Sequence, residues 1–197
     1  MAERIFKLLI VDDEAEAREG ILHSLPWEKH GFRIVGSATN GREALRMIGE
    51  SKPDLMLLDV RMPVMNGLAV LEKLAEQGSS VKVIILSGYD DFSYCQQALR
   101  YGAADYLLKP CRPQEILNCL NKLKNQIVIE EKQSHQWDFL LQKFQENLPI
   151  LRENLLMTLI QRKLTDSETA LSRWKLYQME VVPQNIGLAL IRIDQQS

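Results

Sequence analysis

The feature that most constrains this chain is an alternation repeated through its first 110 residues. Five short, almost unbroken apolar runs, 5–11, 32–38, 54–58, 81–86 and 104–108, are separated by segments of helical spacing. Each run is too short for a buried helix and rich in β-branched or long aliphatic side chains, so each reads as a strand covered on both faces. Between them, residues 14–25, 42–48, 67–77 and 91–101 place aliphatic side chains three and four apart, as a helix with one inward face does. Asn40-Gly41, Gly78-Ser79-Ser80 and Gly102 fall at the joints. Strict strand–helix alternation closes as a parallel sheet with helices on both faces, and right-handed crossovers leave few topologies. The predicted fold class is therefore α/β, a doubly wound five-stranded parallel sheet, followed by a long helical linker.

Charge removes one class of function. The 197 residues carry 24 Lys and Arg against 26 Asp and Glu, a formal net charge of -2. Residues 1–124 hold 16 basic and 17 acidic side chains, and residues 125–197 hold 8 and 9, so neither part has the basic excess of a phosphate-backbone binder. The apolar stretch near the N-terminus stops at Asp12, too early for a signal peptide core, and no run approaches the ~18 apolar residues of a membrane span. Cys95, Cys111 and Cys119 form no C-x-x-C pair, and His23, His30 and His135 are scattered. Reduced thiols in a cytoplasmic protein without a zinc site are the expectation.

In sheets of this kind the ligand site lies outside the carboxyl ends of the strands. The residues there are Asp12 and Asp13 after the first run, Asp59 after the third, Ser87 after the fourth and Lys109 after the fifth. Taken singly, each has an ordinary use: a helix cap for Asp12 or Asp13, a turn for Asp59, a local backbone bond for Ser87, a solvated charge for Lys109. Taken together, they converge on one crevice. Three carboxylates in one pocket repel each other unless a cation joins them. Oxygen-only ligands suit Mg²⁺, while a hydroxyl and an ammonium beside a metal suit a phosphoryl group. The chemistry this implies is phosphoryl transfer to a carboxylate.

Val11-Asp12-Asp13-Glu14, the run from Leu58 to Gly67, Leu86-Ser87-Gly88-Tyr89 and the run from Gly102 to Pro110 resemble the receiver domain of two-component response regulators. The resemblance covers about residues 4–124. It implies a sheet in the order 2-1-3-4-5 with five helices, and Asp59 as phosphoacceptor. It further implies that Asp13 and Asp59 ligate Mg²⁺ directly, that Asp12 acts largely through metal-bound water, and that the backbone carbonyl of Arg61 completes the protein ligands. Ser87 then bonds the phosphoryl group, Lys109 pairs with it, and Lys109–Pro110 is a candidate cis peptide. On phosphorylation Ser87 moves, Tyr106 turns into the vacated space, and the face of the fourth helix, fifth strand and fifth helix is remodelled for dimerisation. Arg61 and Tyr89 flank the acceptor and are placed to tune phosphoryl lifetime. The implied partner is a sensor histidine kinase.

From Leu120 to Thr158, twelve positions alternate steps of three and four, nine of them apolar, as in a heptad seam. Glu130 and Ser134 weaken its middle, and Pro149 predicts a kink or a fresh helix. The seam is expected to pair with its twin in a homodimer, or else to pack on its own chain. Thr165-Asp166-Ser167-Glu168 has the form of a capping box and opens a helix through Tyr177, with Ala170, Leu171, Trp174 and Tyr177 on one face. Residues 185–194 read as a strand. The expected organisation is a phosphoacceptor domain over 1–124, a helical or coiled-coil linker over 125–164 and the start of a truncated middle domain over 165–197. The run from Ser87 to Phe92 and the segment 148–156 resemble YesN-like, AraC-type regulators, which implies transcription control through a DNA-binding domain missing from this chain.

The expected function is thus regulatory rather than enzymatic, with Mg²⁺ as cofactor and no membrane. Two alternatives stand beside it, and the sequence opposes both. A Mg²⁺-dependent haloacid-dehalogenase-type phosphohydrolase also uses an Asp after a strand, but wants a carboxylate two residues later, where Arg61 stands. A receiver-like interaction module that never uses phosphate is opposed by Asp12, Asp13, Asp59, Ser87 and Lys109 all being present.

Overall fold

The computed structural model of the chain describes residues 4–88, 92–161 and 167–179. Five strands, β1 (Phe6–Val11), β2 (Phe32–Ala38), β3 (Leu55–Asp59), β4 (Lys82–Ser87) and β5 (Asp105–Leu108), form one sheet. All its pairings are parallel and the order is 2-1-3-4-5. The helices are α1 (Ala15–Ser24), α2 (Gly41–Ser51), α3 (Gly67–Glu76), α4 (Phe92–Arg100), α5 (Pro113–Ile160) and α6 (Ser167–Leu176), with a 3-10 turn over Trp27–His30. The expected alternation and fold class are those observed.

Strand alternation divides the core in two. Leu8, Ile10, Leu55, Leu57, Ile84 and Leu86 face Ile21 of α1 and Ile116, Leu120, Leu123 and Ile127 of α5. Leu9, Val11, Met56, Leu58, Val83 and Ile85 face α2 through Ala44, α3 through Leu68, Leu71 and Leu74, and α4 through Ala98. Both sets are almost fully buried, which is why these strands show runs rather than alternation in sequence. Helix starts follow local chemistry. Asn40 caps α2 by accepting the Glu43 N–H at 3.0 Å, and Asn66 caps α3 by accepting the Ala69 N–H at 2.9 Å.

Two strand ends differ from the sequence reading. Asp59 and Ser87 are the last residues of β3 and β4, not the first residues beyond them. The ladder runs one residue past the apolar run: Asp59 pairs with Leu86, Ser87 pairs with Leu108, and the Val60 N–H donates to the Leu86 carbonyl at 3.2 Å. Both side chains are thus held on sheet backbone rather than on loops.

The chain divides into two compact units, residues 1–130 and 131–197. The expected boundary after Lys124 lies inside the first. Helix α5 continues through Pro149, so no fresh helix starts there. The imino nitrogen has no proton to donate to the Gln145 carbonyl, and the remaining bonds of the helix carry it past that single gap. The heptad seam is not one surface either. Leu120, Leu123 and Ile127 belong to the core under the sheet, whereas Trp137 and Leu141 are 66% and 56% exposed. Within the second unit Leu148, Leu155 and Trp174 are buried. Arg152 there donates to the Tyr177 and Gln178 carbonyls beyond α6 at 2.8 and 3.0 Å. Leu171, expected on the packed face of α6, is exposed instead. The Thr165-Asp166 half of the capping box, the 185–194 segment, Tyr89 and the Cys95 side chain lie outside the described residues.

Gly67 is required where it stands. Its N–H donates to the Val60 carbonyl at 2.9 Å, and a Cβ there would lie 2.3 Å from the Asp59 carbonyl oxygen. Backbone on both sides leaves no flexible neighbour to give way. Gly67→Ala is expected to lower stability in urea unfolding by about 1–3 kcal/mol, the usual cost of overpacking; an unchanged midpoint would mean the β3–α3 turn relaxes freely.

Candidate functional site

The first peptide after β1 sets the site. The Asp12 N–H donates to the Ala38 carbonyl at 3.1 Å, which continues the ladder and buries the Asp12 side chain completely. Its Oδ1 accepts the Glu14 N–H at 3.0 Å. Helix α1 is capped by Glu14, without a side-chain bond, so neither Asp12 nor Asp13 serves as its cap. The helix-cap use of these two carboxylates is therefore absent, and Asp12 keeps its local bond to the Glu14 N–H. Asp13 is exposed at the rim.

Asp59, 6% exposed, comes from the neighbouring strand. Asp12, Asp13 and Asp59 each bring a carboxylate oxygen within 4.8 Å of the others. Lys109, just past β5, reaches across to them. Its Nζ lies 2.6 Å from Asp12 Oδ2 and 2.9 Å from Asp59 Oδ1. Its own N–H donates to the Ser87 carbonyl at 2.7 Å, and the Lys109–Pro110 peptide is cis.

Burial and charge oppose each other here. Burial pushes the Asp59 carboxyl above the ordinary carboxylate range; Lys109 pulls it down without cancelling the rise, and Asp12 and Asp13 add to it. Burial alone would lower the Lys109 pKa, but hydrogen bonds from its ammonium to Asp12 and Asp59 outweigh it, so the pKa is raised and the ammonium kept charged. One ammonium against three carboxylates leaves an anionic pocket. An all-oxygen donor set of this kind, part buried and part open, fits a hard divalent cation such as Mg²⁺. A cavity of about 580 Å³ opens beside the pocket, between α1 and the start of α5, lined by Asp12, Glu14, Ile21, Lys109, Pro110 and Cys111 among others.

Ser87 is buried next to Lys109, and among the described residues its hydroxyl donates to the Gly88 carbonyl at 3.3 Å. Arg61 follows Asp59 by two residues in the β3–α3 loop. Tyr106 lies on β5 with its side chain 40% exposed. Beside it, the Asp105 carboxylate accepts the Tyr106 N–H and the Lys122 ammonium, both at 3.0 Å, tying β5 to α5. The carboxylate trio and Lys109 are thus brought together, with Ser87 adjoining through backbone; Tyr106 stands apart on the outer face of β5. Sequence reasoning passed over Arg18, whose guanidinium bonds the backbone of the acidic turn. Its place on the inward stripe of α1, five positions after Asp13, is visible in sequence, but its backbone partners are not.

Comparison with known proteins agrees with this geometry. The model of the response regulator receiver domain family matches residues 8–121. The transcriptional regulatory protein YesN of Bacillus subtilis is 38% identical over 135 residues, covering 66% of this chain and 37% of YesN. The chain thus spans little more than a third of that relative. Among solved structures, the REC domain of AraT, a response regulator from Geobacillus stearothermophilus, is 38% identical with a TM-score of 0.61, covering 64% of this chain and 98% of that one. The CheX–CheY–BeF₃–Mg²⁺ complex from Borrelia burgdorferi is 26% identical with a TM-score of 0.55, covering 60% of this chain and 88% of the other.

The paired role of Lys109 has a thermodynamic consequence. Lys109→Met removes the cation that Asp12 and Asp59 share. Breaking a fully buried pair costs about 3–5 kcal/mol; with a quarter of the Lys109 side chain exposed, the expected loss is about 1–3 kcal/mol in metal-free urea unfolding. Millimolar Mg²⁺ is expected to stabilise the variant, because a ligand that binds only the folded state adds to its stability. A variant as stable as wild type, with no response to Mg²⁺, would contradict this account of the pocket.

Proposed function

Because the chain belongs to the response regulator receiver domain family, we propose that Asp59 is its phosphoacceptor and that a sensor histidine kinase is its phosphodonor. The observation that carries this reading is the Lys109 ammonium bridging Asp12 and Asp59 at the mouth of the sheet. An oxygen of Asp59 forms the new bond to phosphorus while the phosphorus–nitrogen bond of a donor phosphohistidine breaks, the electron pair leaving with the imidazole. Lys109 is already in reach of Asp59 and supplies positive charge to the incoming phosphoryl oxygens. Asp13, Asp59 and the Arg61 carbonyl would hold Mg²⁺, with Asp12 at one remove, and the ion supplies charge neutralisation when bound.

The switch follows from how loosely two groups are committed. The Ser87 hydroxyl makes a long bond within its own turn, which a phosphoryl oxygen can replace. Tyr106, exposed on β5, turns toward the space that Ser87 leaves. A phosphoryl group adds roughly -1.5 to -2 charges and three acceptor oxygens, enough to bias two pre-existing arrangements. The output is dimerisation through the outer face of β5 and through the exposed part of α5. In the whole protein we assign it to control of transcription, as the name of the transcriptional regulatory protein YesN suggests, through an AraC-type DNA-binding domain. The site of action would be the cytoplasm; among the described residues no helix is long and apolar enough to cross a membrane.

Two measurements test this. With Mg²⁺ and a small phosphodonor such as acetyl phosphate, intact mass is expected to show one phosphoryl adduct on wild type and none on Asp59→Ala. An equal adduct on both, or none on wild type, would sink the reading; rapid release of free phosphate would favour the hydrolase. The dimer is tested by solution mass with the same donor. Wild type is expected to double in mass, and Trp137→Glu with Leu141→Glu to weaken that shift at least tenfold in concentration, about 1.4 kcal/mol.

A further inference from the structure

Three groups hold the N–H and carboxylate of Asp12: the Ala38 carbonyl takes its N–H, the Glu14 N–H reaches one carboxylate oxygen, and Lys109 reaches the other. Asp13 has no such cage. It is exposed, so the direction of its carboxylate depends on the orientation of its peptide. That peptide is held by Arg18 of α1. A single guanidinium nitrogen, Nη1, lies 2.7 Å from the Asp12 carbonyl oxygen and 3.1 Å from the Asp13 carbonyl oxygen. Two successive carbonyls facing one cation fix the plane of both peptides that flank the Asp13 Cα on its N- and C-terminal sides. The Arg18 N–H meanwhile donates to the Glu14 carbonyl at 3.1 Å, which roots the clamp in the first turn of the helix.

We infer that Arg18 is a positioning residue of the metal site: it holds the Asp12 and Asp13 carbonyls and so aims the Asp13 carboxylate at the point shared with Asp12 and Asp59. This rests on the reading of those carboxylates as a Mg²⁺ site. Nothing in the phosphoryl chemistry above requires Arg18 to touch metal or phosphate. Its role belongs to the outer groups that orient ligands, whose loss typically weakens metal binding by tenfold or more. The sign of the effect separates positioning from plain electrostatics. A cation beside three carboxylates repels a second cation, so if charge were its only contribution, removing Arg18 would tighten metal binding. If it aims Asp13, removing it weakens binding even though a repulsive charge has gone.

The test is metal affinity of the full 197-residue chain. Free Mn²⁺ is counted by electron paramagnetic resonance, and Mg²⁺ affinity is obtained by competition. Arg18→Met is expected to weaken both ions about tenfold. Arg18→Lys, which keeps the charge and a donor of nearly equal reach, is expected to recover most of that loss. Should Arg18→Met fold poorly in urea controls, Arg18→Gln serves in its place; its amide is too short to span both carbonyls, and the same weakening is expected. Unchanged affinity in Arg18→Met or Arg18→Gln would reduce Arg18 to a structural tie, and tighter binding would reduce it to a charge; either overturns the inference while leaving the metal site standing. A wild type that binds neither ion overturns the metal site and the inference together.

Discussion

The ammonium of Lys109 between Asp12 and Asp59 is the interaction on which the rest of the structure depends. Those three residues come from the ends of β1, β3 and β5, 97 positions apart in sequence at the extremes. Two carboxylates almost out of water cannot share a pocket without a cation, and the fold supplies one from the far side of the same sheet edge. The two core layers act as supports for that arrangement. They hold the strands in a register that places Asp59 beside Leu86 and Ser87 beside Leu108, and the Lys109 backbone hangs from Ser87.

The pocket is strained in charge but not in shape. Three carboxylates and one ammonium leave net negative charge inside a partly desolvated crevice, a cost that a purely structural pocket would not carry. Under the proposed function that cost is offset by a divalent cation and by the phosphoryl group whose charge the cation would neutralise. The parts nearby are held with graded firmness. Asp12 is fixed by Ala38, Glu14, Arg18 and Lys109 and Asp59 by the ladder, whereas Ser87 and Tyr106 are loosely committed. A switch needs this contrast, since groups already locked by packing cannot respond to a new charge.

Much of this was legible in the amino-acid order. The five apolar runs and their helical spacers gave the fold class, and the polar residue ending each run gave Asp12, Asp13, Asp59, Ser87 and Lys109 as one constellation. Arg18 was not legible as part of the site, because its contacts are to backbone carbonyls and no side-chain pattern encodes a carbonyl. The apolar pattern stops one residue short of the strand ends at Asp59 and Ser87 for a related reason: hydrogen-bond ladders outlast the apolar pattern that reveals them. The 120–158 stripe looks like a single surface in sequence, yet its first part, Leu120, Leu123 and Ile127, is spent on the sheet core while Trp137 and Leu141 stay open.

Sequence by itself determined which chemical groups stand at the strand ends and that each helix has an apolar side, since both follow from local periodicity and residue type. Tertiary structure alone decided which carboxylates share the Lys109 ammonium, which backbone Arg18 clamps, and what each apolar stripe is packed against. A period of 3.6 residues says that a face seeks cover, but the partner that covers it is chosen by the folding of distant segments onto one another.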